Sequence, residues 1–268
     1  MPLEPTEPTR FDTLLAEARA AAAIDQRRFF VAFAEGPAGF SREDFLETQI
    51  QFLFAVVFFA EPMRVLAERL PAGAAKTTLL ANIADEAGAG DPAASHEATF
   101  LLLLERLGIS RTDIHRRALW PEVRAFNDAL AGLVASDDAI VALAAFGMIE
   151  DCFARISRRI GEAIAIRGFL PADRVVHYTV HQSLDHDHAA GFFDAVRASC
   201  DTADGAYAVS QGLGLGAYLL LRFFDDLHDA RNRRAWHEGT GTHPGGIGLD
   251  LRVATGSKAA ERGEPDPA

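Results

Sequence analysis

The chain has 268 residues, of which 49% are hydrophobic, and a formal net charge of −12 at pH 7. Its length and composition are those of an ordinary globular protein with a substantial core. The acidic balance argues against nucleic acid and anionic membrane as partners. The two cysteines, Cys152 and Cys200, show no paired spacing, so we expect no disulfide framework and a reducing, cytoplasmic location.

Helical patterns separated by Gly, Pro and capping residues run through most of the chain. Residues 1–10 are acidic and rich in proline, lack the apolar region of a secretory signal, and are expected to be disordered. The predicted helices, in order, are residues 11–33, 41–70, 76–86, 92–107, 120–134, 138–167, one that starts at 170 and carries 178–193, and 204–233.

No segment alternates polar and apolar residues as a half-buried strand would, so the sequence predicts an all-α protein. The chain shows neither a repeat nor a linker, which favours one domain over residues 11–236. The Gly-rich, polar residues 237–268 are expected to form a flexible tail. Uncharged apolar runs such as 52–60 and 139–149 are too short to span a bilayer, so no membrane partner is expected.

The segment YTVHQSLDHDHAAGFF contains a possible metal-binding stripe. In a helix, His181, Asp185 and His188 stand at i, i+4 and i+7 and share one face. Nitrogen and oxygen donors suit iron or manganese, and the absence of thiolates argues against a structural zinc site. A polar helix face that carries two histidines by chance is the alternative.

Acidic residues also follow the two most apolar stretches of the chain. Glu61 follows FLFAVVFFA and Glu150 follows AIVALAAFGMI, where an ionised carboxylate costs several kcal/mol unless it is compensated. With Glu86 and Asp185 they would contribute a charge of about −4, which two divalent cations neutralise and one does not. Each glutamate could instead be the polar edge of its helix.

Helix bundles that bind two metals through carboxylates and histidines are typical of di-iron or di-manganese oxygen chemistry. The ferritin-like form of this site requires Glu-x-x-His on two helices, and no Glu-x-x-His occurs in the chain. The ferritin-like fold is therefore the less favoured one.

Over roughly residues 40–230 the motifs resemble those of the haem-oxygenase-like di-iron oxidases and oxygenases, also described as iron-containing redox enzymes. That family has an acid in an early core helix, an Asp-Glu-x-Gly-x-Gly stretch leading to a histidine, a later glutamate, and His-x-x-x-Asp-x-x-His. DEAGAGDPAASH matches the second motif and HQSLDHDH the last. The resemblance implies a single haem-oxygenase-like bundle of about seven to eight helices with these metal ligands: Glu61, Glu86, His96, Glu150, His181, Asp185 and His188.

The resemblance also implies an enzyme that binds two Fe(II) ions, or manganese as an alternative, and uses O₂ to oxidise a small molecule. Glu150, His181 and Asp185 are the expected catalytic residues. N-oxygenation of a small amine or amino-acid-derived substrate, in specialised metabolism, is favoured. The alternative within the family is oxidative desaturation, decarboxylation or C–C cleavage of an amino or fatty acid. An external electron donor and a homodimer are possible partners.

Several features are open to other interpretations. Pro62 directly follows Glu61 and could kink the helix, and Glu68 competes with Glu61 for the ligand position. Cys152 could be a nucleophile, as in the thiaminase-like branch of the fold, but a small core residue is favoured. The aromatic candidates for a substrate cavity are Phe54, Phe58, Phe146, Phe153, Tyr178 and Phe192. Outside enzymes, the alternative is a non-catalytic helical metal-binding or interaction protein.

Overall fold

A computed structural model describes residues 7–136 and 138–236. These residues form eleven α-helices and four short 3-10 turns, with no β-strand in the described ranges. The all-α prediction is therefore confirmed. The predicted tail over 237–268 and residues 1–6 lie outside the described residues. The helices are α1 (Arg10–Ala22), α2 (Arg28–Glu35), α3 (Arg42–Phe58), α4 (Ala60–Arg69), α5 (Ala74–Glu86), α6 (His96–Arg106), α7 (Arg111–Arg116), α8 (Pro121–Ser136), α9 (Ala139–Ile166), α10 (Val176–Arg197) and α11 (Ala203–Ala230).

The helix predicted over residues 11–33 is divided into α1 and α2. Ala23 ends α1 with a left-handed φ of 44°. At the start of α2, the Asp225 carboxylate accepts a hydrogen bond from the backbone N–H of Arg28 at 3.0 Å and pairs with the Arg27 side chain at 2.6 Å. A carboxylate 197 residues away in the chain thus takes the role of the N-cap, which local sequence does not reveal.

The long apolar helix predicted over residues 41–70 is interrupted at Phe59, between α3 and α4. Pro62 has no N–H to donate to the carbonyl of Phe58, so the interruption falls where the sequence allows a kink. Within the described residues, Arg42–Arg69 is the one stretch long and apolar enough to cross a membrane, but 61% of its apolar window is buried inside the protein. Such burial is typical of a core helix.

Helices α9, α10 and α11 pack closely because glycines face their neighbours. A Cβ on Gly216 of α11 would lie 2.2 Å from the carbonyl oxygen of Ala145 on α9. A Cβ on Gly147 of α9 would lie 2.9 Å from Cβ of Phe192 on α10. Since Glu150 follows Gly147 by one turn, this close approach brings its carboxyl group towards the polar face of α10.

The buried apolar residues of the described chain form one contiguous cluster that every long helix joins. Polar side chains interrupt this cluster on α5, α6, α9 and α10, where Glu86, His96, Glu150 and His181 are all less than 10% exposed. The fold therefore places ionisable groups from four helices in its interior.

Candidate metal centre

A glycine turn brings the first two candidate ligands together. Glu86 is the last residue of α5 and His96 the first of α6, where Ser95 caps the helix. Between them Gly88 has φ 89°, and a Cβ there would lie 2.0 Å from the carbonyl oxygen of Asp91. Only glycine fits this conformation and this space, so the turn closes tightly. As a result, Nδ1 of His96 lies 2.6 Å from Oε2 of Glu86.

The α10 stripe faces inward, as its spacing predicts. His181, Asp185 and His188 are 3%, 0% and 3% exposed. Nδ1 of His181 lies 2.7 Å from Oδ1 of Asp185. Across from them, Oε1 of Glu150 on α9 lies 3.9 Å from Nδ1 of His188. Glu86, Glu150 and His188 each offer a donor atom within 4.8 Å of the other two, a spacing that can hold a metal ion.

Five of these residues each have one buried polar atom without a hydrogen-bond partner among the described residues. Such atoms are rare in folded proteins because each one costs about 1–3 kcal/mol. Their concentration on neighbouring imidazole and carboxylate side chains fits a site that could hold a metal ion. The atoms are Nε2 of His96, Oε1 of Glu150, Nε2 of His181, Oδ2 of Asp185 and Nδ1 of His188.

Each histidine of this cluster has its other ring nitrogen beside a carboxylate. Glu86 and Asp185 take this place for His96 and His181, and Oδ2 of Asp85 lies 3.2 Å from Nε2 of His188. An ionised carboxylate can only accept, so it fixes the N–H on the nitrogen that faces it and leaves a lone pair on the partnerless one. The residues present therefore fit a metal site of mixed nitrogen and oxygen donors.

Burial and neighbouring charges shift the pKa values of the clustered acids and histidines. Burial raises the pKa of Glu150 well above its ordinary value, and Asp185 and Glu86 raise it further. Burial likewise raises the pKa of Asp185. Burial lowers the pKa of His181, with His96 acting in the same direction. Burial opposes a charge on His96 as well, but the Glu86 carboxylate outweighs it and the pKa of His96 is raised.

A cavity of about 50 Å³ is lined by four of the clustered residues, Glu86, His96, Glu150 and His181. Of the aromatic cavity candidates, Phe153 lines it, whereas the other five lie elsewhere in the structure. The apolar lining includes three residues that the sequence analysis did not single out for it. They are Phe52, Phe59 and Phe126.

Comparison with known protein families gives a match to the model of the iron-containing redox enzymes over residues 46–220. The chain belongs to this family. All six clustered candidate ligands lie inside the matched range, on the motifs that carry the resemblance. Comparison with curated proteins finds no match.

Solved structures with the same fold share little sequence with this member of the family, and they show the haem-oxygenase-like fold predicted above. A domain of unknown function from Shewanella denitrificans OS217, described as having a heme oxygenase-like fold, is 17% identical with a TM-score of 0.67, covering 80% of this chain and 90% of that one. A CADD-like protein of unknown function from Nostoc punctiforme PCC 73102 is 16% identical with a TM-score of 0.69, covering 83% and 99%. A TenA homologue from P. horikoshii OT3 is 14% identical with a TM-score of 0.64, covering 82% and 98%.

Glu61 is a correction to the predicted ligand set. Its side chain is 59% exposed and pairs with Arg64 of the same helix. The cavity is lined by Phe52 and Val56 of α3 and by Phe59, which lies between α3 and α4. Glu61 lies two residues beyond Phe59, about 200° further round a helix, and so it faces away from the cavity. The competing residue Glu68 also lies on α4, at an exposed position.

Two residues of the site were missed by the sequence analysis. Asp85 holds His188, and its position directly before Glu86 in the Asp-Glu pair is the signal that could have shown it. His177 is fully buried and lines the cavity. It stands one turn before His181, so extending the stripe by i−4 would have found it.

Proposed function

We propose that this iron-containing redox enzyme is a non-haem di-iron oxidase or oxygenase that uses O₂ to oxidise a small amine or amino-acid-derived substrate. The observation that carries the proposal is the set of partnerless donor atoms on His96, Glu150, His181, Asp185 and His188. Together with Glu86 they provide three imidazoles and three carboxylates. Manganese accepts the same donors, but the description of the family favours iron.

The number of donors supports two ions over one. Six protein ligands would saturate a single octahedral ion and leave no position for O₂ or substrate. Two ions held by the same six residues would keep open positions, as in other carboxylate-rich helix bundles. Without Glu61, the clustered acids Glu86, Glu150 and Asp185 contribute about −3. Asp85 brings the site to about −4, close to the charge of two divalent cations.

Two ferrous ions, when bound, would supply electrons for the reduction of O₂. The residues of the chain would bind the ions, orient the ligand rings and shield the cavity from water. Asp85 fixes the ring of His188 so that Nδ1 faces Glu86 and Glu150. Phe52, Phe59 and other apolar side chains exclude bulk water from the cavity. Glu150, whose pKa is raised, retains its proton without metal and releases it when its oxygens become ligands.

The size and lining of the cavity favour a small substrate. A volume of about 50 Å³ holds only a few water-sized groups, so it does not accommodate a long acyl chain. The residues that line it include no lysine or arginine to pair with a substrate carboxylate. Arg158 lines a separate groove beside Gly161 and Glu162. These features support a small amine over a fatty acid, and N-oxygenation remains the favoured reaction.

A nucleophilic cysteine is disfavoured at this site. Cys152 is fully buried, and burial raises the pKa of its thiol to about 12. A thiol with such a pKa is almost entirely protonated at neutral pH, whereas the thiolate is the nucleophile. This argues against the chemistry of the thiaminase-like branch.

Anaerobic loading with ferrous iron tests the proposal. We expect about two irons per chain, a transient visible absorption on mixing with O₂, and loss of both in His181→Ala. Helical circular dichroism should be unchanged in that variant. Absence of iron binding, or binding that His181→Ala does not affect, would refute the proposed function. Iron that binds without consuming O₂ would favour a metal-binding protein instead.

A further inference from the structure

His177 repeats the structural pattern of the three clustered histidines without belonging to the motif that predicts them. It is 0% exposed and lines the same cavity. Its Nε2 has no hydrogen-bond partner among the described residues, as is also true of Nε2 of His96 and His181. A histidine that served only as packing would leave this polar atom unsatisfied at a cost of about 1–3 kcal/mol.

The hydrogen bonds of Thr99 favour one tautomer of His177. Oγ1 of Thr99 donates to the backbone carbonyl of His96 at 3.0 Å. The same oxygen lies 3.0 Å from Nδ1 of His177. In that tautomer the one hydroxyl proton goes to the His96 carbonyl, and the Thr99 oxygen accepts from Nδ1–H of His177. The lone pair of the neutral ring is therefore on Nε2, the atom without a partner.

The rings of His96, His177 and His181 lie next to one another. The His181 ring centroid lies 4.1 Å from that of His96 and 4.2 Å from that of His177. The centroids of His96 and His177 lie 6.4 Å apart.

We propose that His177 is a fourth imidazole ligand of the metal centre, binding through Nε2 on the side where His96 and His181 lie. This inference rests on the proposed metal site and adds one residue to it. The Thr99 hydroxyl takes for His177 the part that Glu86, Asp185 and Asp85 take for the other three rings: it holds the distal N–H. The ligand shell then contains more nitrogen than the family motifs predict.

Proton NMR of the Co²⁺-loaded protein tests the assignment, because the N–H of a metal-bound imidazole gives a strongly shifted, solvent-exchangeable resonance. We expect four such resonances in the wild type and three in His177→Gln, with Co²⁺ affinity lowered about 10-fold or more. His186→Gln is the matched control, since His186 lies on the same helix but is exposed. It should keep four resonances and the wild-type affinity.

The outcomes separate this inference from the proposed function. Three resonances in the wild type, or an unchanged spectrum in His177→Gln, would overturn the role of His177 and leave the metal centre standing. Failure of the wild type to bind Co²⁺ or Fe²⁺ would overturn both. If His177→Gln does not fold, Thr99→Val decides the matter because it keeps the ring and removes its acceptor. One of the four resonances should then broaden by faster exchange, and four sharp resonances would contradict the proposal.

Discussion

Replacing Glu150 by glutamine should stabilise the metal-free protein and remove its stabilisation by iron. Glutamine keeps nearly the same shape but never ionises. In the wild type, burial raises the pKa of this carboxyl group well above its ordinary value of 4.5. Above pH 4.5 the folded state therefore keeps a proton that the unfolded state has released. Wild-type stability falls as pH rises from 4.5 towards the raised pKa of the folded state. Glu150→Gln removes that fall.

The size of the effect follows from the linkage. Retaining a proton costs about 1.36 kcal/mol per pH unit, so between pH 4.5 and 7 the penalty is at most about 3.4 kcal/mol. We expect Glu150→Gln to raise the free energy of unfolding of the metal-free protein by about 1–3 kcal/mol at pH 7, and by less at pH 5. Ferrous iron at 100 times its Kd stabilises the wild type by about 2.7 kcal/mol. That corresponds to a Tm increase of roughly 5–10 °C, which the variant should lose.

Thermal unfolding by circular dichroism under nitrogen, with and without Fe²⁺ at both pH values, measures these quantities. Glu61→Gln is the matched control, because Glu61 is exposed and lies away from the cavity. It should change stability by less than about 0.5 kcal/mol and keep the full response to iron. A metal-free Glu150→Gln protein less stable than the wild type would show that Glu150 is a structural carboxylate. A retained response to iron would remove it from the ligand set.

Three further substitutions test the surroundings of the site. Asp85→Asn should weaken Fe²⁺ binding by about 10–100-fold in a chelator competition, because it loosens the ring of His188, and unchanged affinity would contradict that role. Gly216→Ala should lower the free energy of unfolding, measured by urea denaturation, by about 1–3 kcal/mol, since its Cβ would lie 2.2 Å from the carbonyl oxygen of Ala145. An unchanged free energy would show that α9 and α11 can separate. Cys152 should resist alkylation in the folded protein at pH 8, and Cys152→Ala should retain turnover. Rapid alkylation or loss of turnover would support Cys152 as a nucleophile.

Local sequence predicted the helices and the face of α10 because both depend on spacing along one chain segment. His181, Asp185 and His188 share a face in any regular helix, and the buried stripe follows. The turn between Glu86 and His96 also has a local cause, in the glycines it contains. The division of the predicted 11–33 helix has a distant cause, in the carboxylate of Asp225. No pattern within the segment contains that information.

Glu61 shows where spacing alone fails. An acid at the end of an apolar run can face the core or the solvent, and the two cases differ by a rotation of the helix. The neighbouring residues determine the orientation of Glu61. Phe52, Val56 and Phe59 occupy the cavity face, so Glu61 faces outward to Arg64. His177 is the opposite case, a residue of the site that spacing did not single out. It packs against Phe100 and Tyr178, as an ordinary core residue would. Its partnerless Nε2 and its place in the cavity lining distinguish it from one.

The pairing of acids with imidazoles explains how such a site can fold before it binds metal. Glu86 and Asp185 each have an imidazole nitrogen within 2.7 Å, so a proton can be shared within each pair. Glu150 has none within hydrogen-bonding distance, since Nδ1 of His188 lies 3.9 Å away. It is therefore the carboxyl group whose burial depends most on a retained proton or a bound cation. Metal binding should release that proton, and the iron affinity of the wild type should rise with pH over the range in which Glu150→Gln is the more stable metal-free protein.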